Sequence, residues 1–322
     1  MSGIEQLRNN ITEIVNNTSM SVQMYFVLKD SITKEFSIRK ASLESKKTEP
    51  EVESLFIDVI RRDIIDNLDL EERKLSEYDG IKGPLYKYDY EEYPDEMHVI
   101  KDFNISEAVE YDTFDFENDD INQLFGFLIY IGTMDEGFTL FKKHYSMLLL
   151  KRDTFLLMFK ANNRIEKMPS EELLKINGEF QIIKYHDDIY IKDVNVMERN
   201  LGFNDLIQKD AIAAVEAIDN IGLIEDIEVL KDSLEDIPFV RKLARAMKTS
   251  PVFQKEVSRE RIIDFTKRTE KLKGMFDYSE DGKTIRLATK KSKLDFIKLL
   301  NDDFLKSELT EEYYDARSKD QM

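Results

Sequence analysis

Apolar and polar side chains alternate along two neighbouring stretches near the N-terminus, residues 21–29 and 33–40. A period of two is typical of a strand with one buried face, and Asp30-Ser31 between the stretches is typical of a turn. The pattern therefore predicts a β-hairpin. A helix is predicted next, because Thr48 and Glu51 have the spacing of a capping box ahead of apolar residues at helical intervals.

The same alternation returns in the middle of the chain and then changes to a helical period. Strands are predicted at residues 85–90, 125–133, 137–145 and 154–161, with a hairpin of 180–185 and 189–192. Helices are predicted at residues 205–218, 223–234, 237–249 and 259–272, followed by a hairpin of 275–278 and 284–287 and a helix at 291–300. Segregated strands and helices indicate an α+β fold with mostly antiparallel sheet and a C-terminal helical region, in two lobes.

Charge is distributed unevenly along this pattern. Residues 49–120, here called the acidic segment, contain 24 Asp and Glu against 7 Lys and Arg, which is nearly the whole formal net charge of −18. Residues 241–298, here called the basic region, contain 17 Lys and Arg against 8 Asp and Glu. Aromatic residues within the acidic segment favour an ordered surface over a disordered tail. We place a domain boundary here, with an N-terminal region of residues 1–120 and a second domain of residues 121–322.

Composition excludes several classes of function. The 322 residues include no Cys, so disulfides, thiolate metal sites and a cysteine nucleophile are excluded. The N-terminus has no apolar signal region, and the longest apolar run, residues 124–134, is shorter than the roughly 20 residues that span a bilayer. We expect a cytoplasmic protein, and its acidity predicts no direct binding to anionic lipid.

The predicted helix at residues 237–249 has a basic face. At 100° per residue Arg241, Arg245 and Lys248 share a narrow stripe with Lys242 beside it, opposite an apolar arc. An ordinary amphipathic surface helix remains an open alternative for this helix alone. Further cations in the same third of the chain could follow a phosphate backbone without reading bases, and they are Lys267, Arg268, Lys271, Lys290, Lys291 and Lys293.

Catalytic motifs are weak by comparison. Restriction-type nucleases hold Mg²⁺ with an acidic residue on one strand and Asp/Glu-x-Lys on the next. Glu72-Arg73-Lys74 is expected in a helical or loop region, and Asp281-Gly282-Lys283 in a turn. His186-Asp187-Asp188 is expected at a hairpin tip. We therefore predict no catalytic residue, no bound metal and no cofactor, with a metal-dependent nuclease as the weaker alternative.

Three stretches resemble a known bacterial family. They are GEFQIIKYHDDIYIKDVNVMERNLGF at residues 178–203, the helices through VRKLARAM at 240–247, and IRLATKKSKLDFIKLLNDDFLKSELTEEYYDA at 285–316. This pattern is similar to the KwaB-like family of the Kiwa anti-phage defence system, and the similarity extends from about residue 125 to the C-terminus. The resemblance implies a cytoplasmic defence protein that binds DNA, forms a homodimer and acts with a multi-spanning membrane protein.

Three hypotheses follow from these observations. The first is sequence-independent DNA binding through the basic region, with the acidic segment docking a partner or keeping DNA on one face. The second is a metal-dependent nuclease whose carboxylates come from distant positions. The third is a non-catalytic interaction module whose acidic, aromatic-rich segment imitates nucleic acid or docks on a basic partner.

Overall fold

The computed structural model describes residues 3–43, 48–78, 80–115, 117–145, 149–151, 158–161, 164–167, 172–306 and 313–315. The chain divides into two compact units. Unit 1 comprises Met1–Leu75 and Ile81–Gly202, and unit 2 comprises residues 76–80 and Phe203–Met322. In the part of the chain that is described, no helix is long and apolar enough to cross a membrane.

Unit 1 contains most of the strands. Its elements, in chain order, are α1 (Gly3–Val15), β1 (Ser21–Lys29), β2 (Phe36–Lys40), α2 (Thr48–Ile60), β3 (Glu72–Lys74), β4 (Leu85–Lys87), α3 (His98–Lys101), β5 (Leu124–Gly132), β6 (Gly137–Lys143), β7 (Leu149–Lys151), β8 (Met158–Ala161), β9 (Arg164–Lys167), β10 (Glu172–Leu174), β11 (Ile182–Tyr185), β12 (Asp188–Ile191) and α4 (Val194–Asn200). A π-helical turn, Arg61–Ile65, continues α2, and short 3-10 turns lie at Leu75–Glu77, Asp95–Met97, Ala108–Glu110 and Ile121–Gln123.

Eight of these strands form one sheet in the order β2-β1-β5-β6-β11-β12-β4-β3. Every neighbouring pair is antiparallel except β3 and β4, which are parallel. The strands β7 with β10 and β8 with β9 form separate two-stranded ladders. The α+β fold with a mostly antiparallel sheet is thereby confirmed.

Helices α1 and α2 cover one face of the sheet. Leu7 and Ile11 of α1 and Phe56 of α2 are fully or almost fully buried in a single core with Phe127 and Ile129 of β5. On the two helices the buried residues recur at helical spacing, so each helix presents one apolar face, whereas β5 is buried along its whole length. The hydrophobic effect then drives those faces together.

Part of the acidic segment packs on the sheet through its aromatic side chains. Phe103 is buried and its ring centroid lies 5.2 Å from that of Tyr25 in β1, and Tyr111 lies 6.1 Å from the same ring. Lys184 of β11 donates hydrogen bonds to the carbonyls of Lys101 and Phe103, which satisfies groups left open at the end of α3. The acidic segment is an ordered surface at these positions.

Unit 2 contains most of the helices. Its elements are α5 (Phe203–Ile221), α6 (Glu228–Lys231), α7 (Ile237–Thr249), α8 (Pro251–Gln254), α9 (Arg259–Arg268), β13 (Asp277–Tyr278), β14 (Ile285–Arg286), α10 (Lys290–Leu300), β15 (Phe304–Lys306) and β16 (Tyr313–Asp315). Helix α7 packs against α5, and α10 contacts α7 and α8. The strands form two small antiparallel pairs, β13 with β14 and β15 with β16.

Two predicted elements differ in extent from the structure. The helix predicted at residues 223–234 is replaced by a β-bridge between Ile224 and Ile285, and helix begins only at α6. The backbone of Leu223 accepts a hydrogen bond from Ile285, so tertiary pairing overrides the local helical pattern. The strand predicted at 154–161 is described only from Met158 onward, as β8, and residues 154–157 lie outside the described residues.

The domain boundary that we predicted at residue 120 lies inside unit 1. Strands from both sides of that position, β1 and β5, are paired in the same sheet. The change in charge at residue 120 therefore does not coincide with the end of a structural unit.

Three consecutive basic side chains are buried at the end of β6 and directly after it. Lys142, Lys143 and His144 are 3%, 9% and 5% exposed. The Lys143 ammonium donates to the carbonyls of Phe125 at 2.8 Å and His144 at 2.7 Å. Burial, reinforced by the two neighbouring lysines, lowers the pKa of His144 to about 4, and burial also lowers the pKa of Lys143 to about 8. His144 is therefore neutral at pH 7.

The packing of the acidic segment predicts that Phe103→Ala destabilises the protein by about 3–5 kcal/mol, because it removes a buried aromatic ring from its contacts. Val109→Ala in the same segment is the control, since Val109 is 77% exposed and should change stability by less than about 0.5 kcal/mol. Urea denaturation measures both values. Equal effects of the two substitutions would show that the acidic segment does not contribute to the fold.

The buried His144 predicts a specific loss of stability in acid. Its pKa is lower in the folded than in the unfolded chain, so the unfolded chain binds more protons between about pH 6.5 and 4. As the pH falls through this window, wild type should lose about 2–3 kcal/mol that His144→Gln does not lose. Urea denaturation at pH 7, 5.5 and 4.5 measures the difference. The same slope in wild type and His144→Gln would contradict this role of His144.

Candidate nucleic-acid interface

Helix α7 has one buried and one basic face, as its sequence predicts. Pro238 lies in its first turn, where a missing N–H costs nothing, and Phe239, Val240 and Leu243 are buried. Burial of this apolar arc fixes the rotation of the helix about its own axis. The basic side chains of α7 are consequently directed away from the core of unit 2.

Helix α10 presents a second basic face. It begins after a capping box in which Thr289 and Ser292 each accept a hydrogen bond from the other's backbone N–H. Lys291, Asp295 and Lys298 follow at intervals of four and three residues and therefore lie on one side of the helix. Phe296 and Leu300 are fully buried and anchor the helix through its other side.

These two faces line a cleft of about 350 Å³ in unit 2, here called the α7–α10 cleft. Four basic side chains line it, namely Lys242, Arg245, Lys291 and Lys298, together with the carboxylates of Asp295 and Asp303. Tyr78 also lines the cleft, and the Arg241 guanidinium lies 5.4 Å from the centroid of its ring in a cation–π contact. A concave surface with an excess of positive charge concentrates the electrostatic potential and attracts anions.

The structure brings together only some of the ten predicted site residues. Lys242, Arg245 and Lys291 line the α7–α10 cleft, and Arg241 adjoins it through Tyr78. Lys248 ends the same helix, where its carbonyl accepts a hydrogen bond from Gln254.

Two predicted cations on α10 have other partners. Lys290 forms an ion pair with Asp236 at 2.8 Å, and the Lys293 ammonium donates to the hydroxyl of Ser233 at 2.8 Å. Both interactions attach α10 to the turn that precedes α7. These two lysines therefore help to hold the walls of the cleft together.

The cations of α9 lie against other structure. Lys267 donates to the carbonyl of Gly282 at 2.6 Å, and its ammonium lies 4.9 Å from the ring centroid of Tyr278. Arg268 pairs with Asp264 at 2.6 Å along the helix. The side chain of Lys271 lies outside the described residues. Among the described side chains, none from α9 lines the α7–α10 cleft.

Sequence reasoning missed Tyr78, Asp295 and Lys298 as members of the cleft. The seven-residue interval between Lys291 and Lys298 could have revealed the second lysine, since it places both on one helix face. No spacing in the sequence indicates that Tyr78 belongs to the cleft. It is distant in sequence and belongs to the acidic segment, although residues 76–80 pack with unit 2.

The nuclease-like motif at Glu72 has a different setting from the one predicted. Glu72-Arg73-Lys74 forms β3, so the expected helix or loop was wrong, because pairing with β4 extends this short stretch. The Glu72 carboxylate lies beside Gly3 at the start of α1, where a Cβ on Gly3 would be only 2.7 Å from Oε2. Burial raises the pKa of Glu72.

The other two motifs lie in turns, as expected. Asp281 accepts hydrogen bonds from Ser279 and from the backbone of Lys283, and Gly282 has a positive φ of 68°. His186 also has a positive φ, of 50°, in the turn between β11 and β12. Among the described residues, no group of three or more His, Asp or Glu could hold a metal ion.

Comparison with known proteins places this chain in a family. A family model described as Kiwa protein KwaB-like matches residues 121–310, which include α7, α10 and most of the residues that line the cleft. The Kiwa protein KwaB of Escherichia coli O55:H7 (strain RM12579 / EPEC) is 30% identical over 322 residues, covering 99% of this chain and 98% of that protein. No solved structure matches.

The family model begins close to residue 125, where the resemblance in the sequence was expected to start. The match to the Escherichia coli protein extends further and includes the acidic segment. By both its family model and this relative, the chain belongs to the Kiwa protein KwaB-like family.

Proposed function

We propose that this protein acts in Kiwa anti-phage defence by binding DNA through the α7–α10 cleft, largely independently of base sequence. The observation that carries the proposal is the convergence of four basic side chains from two helices on one concave surface. Lysine and arginine side chains that neutralise phosphates supply most of the free energy of non-specific DNA binding. Membership of the KwaB-like family supports the defence role.

The overall acidity of the chain is compatible with this function. The acidic segment contains nearly all the excess negative charge, and most of that segment belongs to unit 1, whereas the cleft belongs to unit 2. At physiological ionic strength the Debye length is about 8 Å, so exposed charges further apart are largely screened. A DNA phosphate in the cleft therefore responds mainly to charges within about that distance.

We further propose that the protein binds DNA without cutting it. Of the Asp/Glu-x-Lys motifs at Glu72 and Asp281, the second is a solvent-exposed turn, and the first directs its Glu72 carboxylate to the start of α1. Neither lies in the α7–α10 cleft, where the phosphates would be held. This supports a binding role over the metal-dependent nuclease.

The proposal includes two protein partners. The family resemblance implies a multi-spanning membrane protein of the same system and a homodimer, with the protein recruited from the cytoplasm to the membrane by that partner. The acidic segment offers a docking surface, because Glu107, Val109 and Glu110 are exposed beside the packed rings of Phe103 and Tyr111. Sedimentation velocity of the purified protein tests the homodimer.

Charge reversal in the cleft should weaken DNA binding. For Lys242→Glu with Lys291→Glu, we expect at least about tenfold weaker binding of a labelled duplex, with a shallower dependence of log K on log salt. Each lost phosphate contact should reduce that slope by about 0.9. Fluorescence anisotropy between 50 and 200 mM salt, roughly the range over which such contacts are most evident, measures both quantities.

The matched control is Lys74→Glu with Lys82→Glu, which changes the net charge equally at two exposed lysines of unit 1. It should retain most of the affinity. Equal losses in the two double variants would mean that net charge alone controls binding, which contradicts a role for the cleft. Duplex recovered after incubation with Mg²⁺ or Mn²⁺ should keep its length with and without EDTA, and shortened DNA would favour the nuclease.

Recruitment to the membrane should depend on both the partner and the acidic segment. We expect the protein to sediment with membranes only when the membrane protein of the system is co-expressed. Glu107→Lys with Glu110→Lys should reduce the membrane fraction several-fold, because like charges now face a basic partner. Glu216→Lys with Asp219→Lys, at exposed positions of α5, should not. Unchanged sedimentation of the first variant would exclude this docking surface.

A further inference from the structure

The shape of the α7–α10 cleft limits what part of a DNA molecule can enter it. Its volume of about 350 Å³ lies at the lower end of the range of small-molecule sites, roughly 300–1,000 Å³. A DNA duplex is too wide for such a cavity and can contact only its rim. A single nucleotide that leaves the base stack is the part of DNA that matches a cavity of this size.

The lining of the cleft contains more than a phosphate site requires. Asp295 is 9% exposed and lies on the same face of α10 as Lys291 and Lys298. A carboxylate repels phosphate, so it adds nothing to the binding of a DNA backbone. Its two oxygens are hydrogen-bond acceptors, and Asn301 adds an amide to the same lining.

Base edges supply the donors that such acceptors need. The Watson–Crick edge of guanine carries two adjacent donors, N1–H and the N2 amino group, which can donate to both oxygens of one carboxylate. The corresponding edges of adenine, cytosine and thymine place an acceptor next to each donor. A carboxylate at the inner wall of the cleft would therefore favour guanine over the other bases.

We propose that the α7–α10 cleft binds one unpaired nucleotide of DNA, with guanine preferred. The phosphate lies among Lys242, Arg245, Lys291 and Lys298, and the base edge donates to Asp295. This inference rests on the proposed function and specifies its ligand. Tyr78 also lines the cleft, and its ring contacts the Arg241 guanidinium.

The nucleotide site implies a preference among forms of DNA. Single strands and duplexes with unpaired ends present a nucleotide without further cost, whereas a covalently closed, relaxed duplex must first break a base pair. Extrusion costs less wherever pairing is already lost. The protein should therefore bind a single strand or an unpaired end more tightly than closed duplex of the same length.

The test is a competition measured by fluorescence anisotropy with the full-length protein and a labelled single strand of mixed sequence. The competitors are dGMP, dAMP, dCMP, dTMP and inorganic phosphate. We expect dGMP to displace the strand at concentrations at least about tenfold lower than dTMP, in line with discrimination by one bidentate base contact. Inorganic phosphate should compete more weakly than either nucleotide.

Two variants separate the roles of base and phosphate. Asp295→Asn preserves the size of the side chain but replaces one acceptor oxygen with a donor group, so it should abolish the preference for dGMP over the other nucleotides. Lys291→Glu should weaken every nucleotide and the duplex together. Because the ranking of competitors is measured on wild type, the test does not depend on either variant folding well.

The outcomes distinguish this inference from the proposed function. Equal competition by all four nucleotides and phosphate, or an unchanged ranking in Asp295→Asn, overturns the nucleotide site. Salt-dependent duplex binding that no nucleotide competes with overturns it too and leaves the proposed function standing. A protein that binds neither the labelled strand nor the duplex overturns both.

Discussion

The pairing of β1 with β5 is the interaction on which the architecture of unit 1 depends. It joins residues about a hundred positions apart in sequence, from Ser21 opposite Gly132 to Leu28 opposite Leu124. Such a long-range ladder costs considerable chain entropy, which the burial of Phe127 and Ile129 beneath α1 and α2 offsets. Because β1 and β5 are neighbours, the chain between them, which includes the acidic segment, starts and ends in the same sheet. The aromatic rings of the acidic segment stabilise this arrangement. Phe103 packs against Tyr25 of β1, at a buried position where a carboxylate would be costly.

The same separation of apolar and charged faces creates the α7–α10 cleft in unit 2. Helix α7 buries Phe239, Val240 and Leu243, and α10 buries Phe296 and Leu300. With both apolar faces occupied, basic side chains of the two helices line the cleft between them. The ion pair of Lys290 with Asp236 fixes the start of α10 near the start of α7. A cleft with converging positive charge is the consequence of this packing.

Much of this arrangement could be predicted from local sequence, and the rest depends on distant contacts. The hairpin of β1 and β2, the strands β5 and β6, and helices α7 and α10 follow their hydrophobic periods closely. The helix predicted at 223–234 begins later than expected, because the bridge of Ile224 to Ile285 depends on a segment about sixty residues away. The basic stripe of α7 could also be predicted, because the helical period that identifies the helix places its basic residues on one side. It could not be predicted from the sequence which other cations lie near this stripe. Lys267 and Arg268, for example, contact other groups in the folded structure.

Net charge is consequently a poor guide to what this protein binds. The formal charge of −18 describes the chain as a whole, whereas a ligand responds to charges within about one Debye length. In the α7–α10 cleft that local balance is positive, with four basic side chains against two carboxylates among the described residues. Acidity elsewhere can still contribute to specificity, because it disfavours contact between DNA and the rest of the surface. Under the proposed function, a strongly acidic chain that carries a positive cleft would bind DNA in fewer orientations than a uniformly basic chain.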